Sequence, residues 1–150
     1  MKALEEKIIR EGTVLPGDVL KVGSFLNQQV DTVFLKEMAK ETARLFADKP
    51  ITKVLTVEAS GIAFATAVAI ELGVPMVFAK KHPSANVSGA QYAAPVYSFT
   101  HKTTYMISVS RDYLAPNDKV LVTDDFLANG NALKGLISIV EQAGASVAGC

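Results

Sequence analysis

One segment decides the fold of this chain: Lys119-Val120-Leu121-Val122-Thr123-Asp124-Asp125-Phe126-Leu127-Ala128-Asn129-Gly130-Asn131-Ala132. An apolar run leads into two adjacent carboxylates and a loop of small and polar residues, and the helical spacing of Leu133, Leu136, Ile137 and Val140 follows. A strand whose loop opens a helix directs backbone N–H groups and the positive helix end at one point. Gly130 permits a sharp turn and close approach to a ligand. The segment therefore predicts a phosphate-binding loop.

The paired acids, Asp124 and Asp125, need a different partner from the phosphate, because like charges repel. Carboxylates are hard oxygen ligands, so sugar hydroxyls or a Mg²⁺ ion beside the phosphate suit them better. A solvated turn with two exposed acids is the alternative interpretation. The order of strand, loop and helix around the acids favours a ligand-binding loop.

Composition restricts the classes of protein that need to be considered. A chain of 150 residues with 49% hydrophobic residues is long enough for one domain with a sizeable core. Fifteen basic and fifteen acidic residues cancel, which leaves no broad basic field for nucleic acid. The most apolar stretch, Gly61 to Ile70, is too short to span a bilayer, and the charged N-terminus lacks the apolar region of a signal peptide. With Cys150 as its single cysteine, the chain is expected to be cytoplasmic, with neither nucleic acid nor a membrane as a partner.

Two stretches of the chain have the order strand, helix, strand. The first is predicted at residues 51–57, 61–72 and 74–79, and the second at 119–123, 131–143 and from 146 onward. Such βαβ units join parallel strands. The pattern predicts an α/β fold with an open, mainly parallel twisted sheet flanked by helices.

The residues before the first unit are predicted to add two helices and a connecting segment. Residues 2–10 have helical spacing with Leu4, Ile8 and Ile9 on one side, whereas 14–29 looks irregular apart from a turn at Pro16-Gly17. Asp31 is a suitable N-cap for the next helix. The buried stripe of that helix is predicted to consist of Leu35, Met38, Thr42, Leu45 and Phe46.

The turn Glu58-Ala59-Ser60-Gly61 lies at the same end of the predicted sheet as the acids. In open α/β sheets ligands bind beyond the carboxyl ends of the strands, so the two loops should converge. A hydrolase elbow is excluded because Glu58 stands where that motif needs glycine. An ordinary turn, or a pyrophosphate loop that uses backbone N–H groups from Ala59 to Ile62, remains.

Two further features follow the first βαβ unit. Lys80 and Lys81 come directly after its second strand, either as solvated cations or as charges that balance a pyrophosphate. Residues 84–94 are predicted to form a loop. Residues 96–99 and 104–109 are predicted to pair as a hairpin, with 100–103 at its tip.

The segment from Asp124 to Ala132 resembles the ribose-5-phosphate loop of the type I phosphoribosyltransferases. It is most similar to the version in bacterial xanthine phosphoribosyltransferases, and it lacks the threonine-glycine-rich ending common elsewhere in the superfamily. The similarity extends over essentially the whole chain, including residues 20–27 and Tyr97-Ser98-Phe99. Beside this loop, the pyrophosphate interpretation of the Glu58 turn is favoured.

The resemblance implies a role for each candidate site residue. Asp124 and Asp125 are implied as the catalytic acids that hold the ribose hydroxyls, and Asp125 is also a candidate to take a proton from the base. Residues 1–30 would contribute to a hood over the base. The implied substrate-binding residues are Ala128, Asn129, Gly130, Asn131 and Ala132 for the 5-phosphate, Ala59, Ser60, Gly61, Lys80 and Lys81 for the diphosphate, Tyr97 and Ser98 in a mobile lid, and Leu20 and Asn27 for xanthine.

The activity implied by the resemblance is transfer of the 5-phosphoribosyl group from 5-phosphoribosyl 1-diphosphate to xanthine. Mg²⁺ would arrive on the diphosphate, and the enzyme would be a homodimer. A guanine/hypoxanthine or adenine phosphoribosyltransferase is the nearest alternative. A regulator of transcription that senses the same donor is another, but it needs a DNA-binding module. Only about thirty residues precede the Asp31 helix, and they show no helix-turn-helix pattern or basic cluster.

The last residues, Ser146 to Cys150, look like the opening of the strand that completes the second βαβ unit. In the related transferases the chain continues through this strand to a lysine that helps hold the base. We therefore expect a truncated form in which the neighbouring strand lacks hydrogen-bond partners and the fold is marginal.

Overall fold

Strands and helices alternate along the chain and build a parallel sheet with helices on both faces. The computed structural model describes residues 1–17, 19–81, 89–98 and 103–150. In chain order the elements are α1 (Lys2–Glu11), β1 (Thr13–Leu15), β2 (Val19–Lys21), α2 (Thr32–Leu45), β3 (Lys53–Val57), α3 (Gly61–Leu72), β4 (Met76–Ala79), β5 (Gln91–Ser98), β6 (Thr103–Ser110), β7 (Lys119–Val122), α4 (Asn131–Gln142) and β8 (Ser146–Gly149).

The central sheet has the strand order β4-β3-β7-β8, and every neighbouring pair is parallel. Successive residues of β3 point to opposite faces, as the pleat of a strand requires. Val54 packs with α2 and α3 around Ala39 and Ala65, whereas Leu55 packs on the other face with α4 and the β5–β6 hairpin. The predicted fold class, an open parallel sheet flanked by helices, is confirmed.

Short polar and glycine signals set the ends of the helices as expected. The Asp31 carboxylate accepts a hydrogen bond from the Phe34 N–H at 3.0 Å and caps α2. Gly73 ends α3 in the left-handed conformation, at φ 68°. In the ranges that the structure describes, no helix is both long and apolar enough to cross a bilayer.

The structure corrects four details of the sequence interpretation. Residues 14–29 are not irregular, because β1 and β2 pair as an antiparallel hairpin and a π-helical turn covers Gly23–Asn27. On α1, Leu4 and Ile8 pack inward but Ile9 is 83% exposed. Leu45, predicted to be buried, is 60% exposed at the end of α2. Residues 91–94, predicted as loop, lie in β5, and the rest of that predicted loop up to 88 falls outside the described residues.

β8 corrects the expectation for the end of the second unit. It pairs in parallel with β7, where Lys119 lies opposite Ser146 and Val120 opposite Val147, before a shift in register. The expectation that β7 would lack a hydrogen-bond partner at this edge is wrong. A four-residue strand is enough to supply the pairing.

The N-terminal segment is tied to α2 through Lys7. The Lys7 Nζ atom lies 2.8 Å from Asp31 Oδ2 and 3.2 Å from Glu11 Oε1. It also lies 5.3 Å from the ring centre of Phe25 and 5.1 Å from that of Phe34. The hydrogen bond to Asp31 raises the pKa of Lys7. One cation thus joins α1, the π-helical turn and the N-cap of α2.

The β5–β6 hairpin lies directly on α4, and Gly135 makes the close approach possible. A Cβ atom at Gly135 would lie 2.8 Å from Val96 Cγ2 and 3.1 Å from Ile107 Cδ1. Both neighbours are β-branched and buried, so they have little freedom to move away.

Replacing Gly135 with alanine should therefore lower the free energy of unfolding by roughly 1–2 kcal/mol, because overpacking outweighs the gain in helix propensity. Urea denaturation would measure this. Lys134→Ala, at an exposed position of the same helix, should change stability by no more than about 0.5 kcal/mol. A Gly135→Ala protein as stable as the parent would contradict the tight packing.

Candidate active site

The acid pair lies immediately beyond the end of β7. The Thr123 N–H still donates to the Leu55 carbonyl of β3 at 2.9 Å, so the chain remains attached to the sheet up to the first acid. The Asp125 N–H then donates to Asp124 Oδ1 at 3.0 Å. The Asp124 side chain is part-buried, and its carboxylate therefore lies against the backbone at the start of the loop.

The turn between β3 and α3 meets the acids, as the sequence predicted. The Ser60 hydroxyl donates to Asp125 Oδ1 at 3.0 Å. A Cβ atom at Gly61 would lie 2.8 Å from Asp124 Oδ1 and would collide with the Thr56 hydroxyl. Glycine at position 61 is thus what allows the first turn of α3 to approach the Asp124 carboxylate.

The backbone of this turn offers fewer free donors than expected. It begins with a cis peptide bond between Glu58 and Ala59. The Ile62 N–H donates to the Ala59 carbonyl at 3.2 Å, which removes it from the predicted set of anion-binding groups. The candidates from this turn are therefore Ala59, Ser60 and Gly61.

The two consecutive lysines point to different places. Lys81 Nζ lies 5.6 Å from the ring centre of Tyr105, which lines the same cavity as Asp124, and the Lys81 N–H donates to Glu58 Oε1 at 2.6 Å. Lys80 pairs through its backbone with Ser108 and lines a separate cavity. The structure brings Lys81 to the acids and leaves Lys80 away from them.

Burial makes the carboxyl group of Asp124 hard to ionise. Loss of solvent raises the pKa of Asp124 to about 7, and the neighbouring Asp125 carboxylate adds to the effect, while the Lys81 charge opposes it. Burial and the Asp124 charge also raise the pKa of Tyr105. A cation placed beside Asp124 would favour the ionised form of its carboxyl group.

A cavity of about 560 Å³ opens beside the acids. All five residues of the predicted phosphate loop, from Ala128 to Ala132, line it. Gly130 precedes α4 with φ 71°, and no side chain caps the first turn of the helix. The N–H groups of that turn have no partner within the helix, so they can receive an anion from the cavity.

The β5–β6 hairpin forms a wall of this cavity through Tyr97 and Tyr105. Asn131 Nδ2 donates to the Tyr97 carbonyl at 3.1 Å, which connects the hairpin to the start of α4. Ser98 ends β5, where its backbone pairs in register with Thr103. Phe99, the rest of the predicted tip up to 102, and His82 fall outside the described residues.

The two predicted base contacts do not line this cavity. Leu20 is half-buried in β2 and packs against a hydrophobic cluster near the N-terminus, which consists of Val22, Phe25, Leu26, Phe34, Leu35 and Met38. Asn27 is exposed at the end of the π-helical turn. Phe64 of α3 contacts that same cluster and also lines the cavity. It therefore connects the N-terminal segment with the acid site.

Among the residues that line the cavity without having been predicted as site residues are Phe64, Tyr105 and Thr123. Tyr105 was detectable, because it alternates with Ile107 and Val109 and so shares the inward face of β6. Thr123 has a buried hydroxyl without a hydrogen-bond partner among the described residues. Phe64 shows no separate signal within an alanine-rich helix.

Known proteins provide an independent comparison. A family profile for the phosphoribosyl transferase domain matches residues 29–150. The xanthine phosphoribosyltransferases of Bacillus cereus (strain G9842) and Bacillus mycoides (strain KBAB4) are 55% and 54% identical over 149 residues, which are 99% of this chain and 76% of each relative.

Solved structures show the same fold. Adenine phosphoribosyltransferase from Giardia lamblia, complexed with 9-deazaadenine, superposes with a TM-score of 0.78 at 26% identity and covers 94% of this chain and 78% of its own. The enzyme from Saccharomyces cerevisiae superposes with a TM-score of 0.77 at 17% identity, over 98% of this chain and 85% of its own. With the loop, the acid pair and the sheet in the positions described, this chain belongs to the phosphoribosyl transferase domain family.

Proposed function

We propose that this chain transfers the 5-phosphoribosyl group from 5-phosphoribosyl 1-diphosphate to xanthine, giving xanthosine 5′-phosphate and diphosphate in purine salvage. The observation that carries the proposal is the meeting of the Asp124–Asp125 pair with the Ser60–Gly61 turn beside the start of α4. Xanthine is proposed as the base because relatives that are 55% identical are named for it.

The 5-phosphate is proposed to bind at the start of α4. Residues Ala128 to Ala132 line the cavity, and their backbone N–H groups are proposed to bind the phosphate, with the uncapped helix end adding its positive potential. The left-handed conformation of Gly130 sets the direction in which these groups point. In this proposal the 5-phosphate binds at the far end of the loop that begins with the two acids.

The acids are proposed to act on the ribose. Its anomeric carbon loses diphosphate through a cation-like state, and a carboxylate held beside it stabilises that positive charge. Ser60 holds Asp125 in place through one carboxylate oxygen, which leaves the other oxygen for a ribose hydroxyl. Asp124 would act on a neighbouring hydroxyl in its ionised form.

The diphosphate is proposed to lie between the Ala59–Gly61 turn and Lys81. The family's Mg²⁺ would arrive on the diphosphate as part of the substrate. Within the described ranges, no three His, Cys, Asp or Glu side chains are grouped to hold a metal ion. The charge of the Mg²⁺ would also favour ionisation of Asp124.

The base is proposed to bind under the N-terminal segment. An apolar side chain such as Leu20 can pack on a purine face, and an amide such as Asn27 both donates and accepts at the purine edge. Tyr97 and Ser98 are proposed to cover the ribose as part of a lid that excludes water from the reactive cation. We also propose a homodimer that works in the cytoplasm.

Among purine bases, xanthine should support the fastest release of diphosphate. The measurement compares xanthine, guanine, hypoxanthine and adenine at equal concentration with 5-phosphoribosyl 1-diphosphate and Mg²⁺. Faster turnover with another base would overturn the xanthine assignment. Binding of the donor without turnover of any base would favour the regulatory alternative.

Asp125→Asn should lower turnover by about two to three orders of magnitude, because it removes a fixed charge beside the developing cation. It should also lower the pKa of Asp124, since the Asp125 carboxylate is one of the groups that raise it. Steady-state kinetics and a carbon NMR titration of the carboxylates measure the two effects. A folded variant with turnover within a few-fold of the parent would disprove the role of Asp125.

Gly130→Val should weaken binding of ribose 5-phosphate by about tenfold or more, because a β-branched residue resists φ 71° and would reorient the loop. Gly17→Val is a matched control: Gly17 also has positive φ, at 83°, and its turn has open space for a side chain. Calorimetry should show normal affinity in the control. Equal affinity in both variants would rule out the phosphate loop.

A further inference from the structure

The β5–β6 hairpin is attached to α4 by side-chain amides at two points. At the C-terminal end of α4, Gln142 accepts from the Ala93 N–H at 3.3 Å and donates to the Ala93 carbonyl at 2.9 Å. At the N-terminal end, Asn131 donates to the Tyr97 carbonyl at 3.1 Å. Along this edge of the hairpin, two amides of one helix take the place of a neighbouring strand.

The geometry of β5 suits this attachment. Backbone groups of alternate residues point to the same edge of a strand, so Ala93 and Tyr97 face α4 together. Pro95 lies between them and has no N–H group to leave unpaired. Gly135 lets the strand lie close against the helix between the two amides. The hairpin is thus held along α4 as far as Tyr97, one residue before β5 ends.

The two amides differ in what else they touch. Gln142 is at the end of α4 remote from the cavity, about 16 Å along the helix axis from Asn131. Asn131 is the first residue of the helix, follows Gly130 and lines the cavity. Its backbone belongs to the phosphate loop and its side chain to the hairpin contact.

We propose that Asn131 is a positioning residue that couples the phosphate loop to the hairpin. An anion held by the loop orders the first turn of α4, and the Asn131–Tyr97 hydrogen bond transmits that order to β5. Tyr105, which pairs with Val96 across the hairpin, is then held against the cavity beside the acids. The inference rests on the proposed function only in that the loop binds a phosphate.

Hydrogen exchange with ribose 5-phosphate as the probe tests the coupling. In the parent protein the probe should slow exchange in peptides from the loop, residues 126–134, and in peptides from β5. In Asn131→Ala the loop peptide should still slow, because its backbone N–H groups remain. The factor by which the probe slows exchange in β5 should fall roughly 3- to 10-fold, as expected for the loss of one neutral hydrogen bond.

Gln142→Ala is the matched control at the other end of the helix. It removes the remote amide, so β5 should exchange faster overall but still slow when the probe is added. Alanine favours the helix more than asparagine does, so Asn131→Ala is not expected to unfold α4. Asn131→Ser, whose side chain is too short to reach Tyr97 and which suits a helix start, should behave like the alanine variant.

Each outcome decides between the coupling and its rivals. Slowing of β5 that survives in both Asn131 variants would show that the hydrogen bond is merely structural, and the coupling would be wrong. Slowing of the loop without slowing of β5 in the parent protein would overturn it too. If the loop itself fails to respond in the parent, the phosphate loop of the proposed function is wrong, and the coupling falls with it.

Discussion

The contact between Gly61 and the Asp124 carboxylate is the constraint on which the site depends. It brings the first turn of α3 against the end of β7. The hydrogen bond between Ser60 and Asp125, which are adjacent to Gly61 and Asp124, holds the same two segments together. A larger residue at position 61 would separate a loop suited to diphosphate from the acids suited to ribose. Parallel pairing of β3 and β7 sets the distance, and glycine permits the contact.

The same contact has an electrostatic consequence. Packing α3 over Asp124 removes water from a carboxylate that already has another acid beside it, so its pKa rises to about 7. The site therefore disfavours a negative charge on Asp124. Lys81 offsets part of this charge from the neighbouring strand end. A ligand that brings positive charge to the acids, such as a diphosphate with its metal, would relieve the rest.

Local sequence signals predicted much of the framework. The bounds of α3 were predicted without error, and Asp31 and Gly73 fulfilled their expected cap roles, because caps and periodicity depend on near neighbours. Convergence of the Ser60 turn with the acids was also predictable, since parallel strands end at one edge of a sheet. The small β1–β2 hairpin was missed because short strands with exposed, mixed side chains show little alternation.

The sequence could not show which distant part of the chain each side chain contacts. Lys80 and Lys81 are adjacent residues of the same type, so the sequence alone does not distinguish them. Alternation at the end of β4 directs Lys81 to the acids and Lys80 to a different cavity. Asn131 was identified for its backbone alone, since nothing local indicates that a hairpin more than thirty residues earlier supplies the partner of its side chain. Such pairings depend on how the hairpin is oriented on α4, where Gly135 lies close against Val96, and no local motif indicates that orientation.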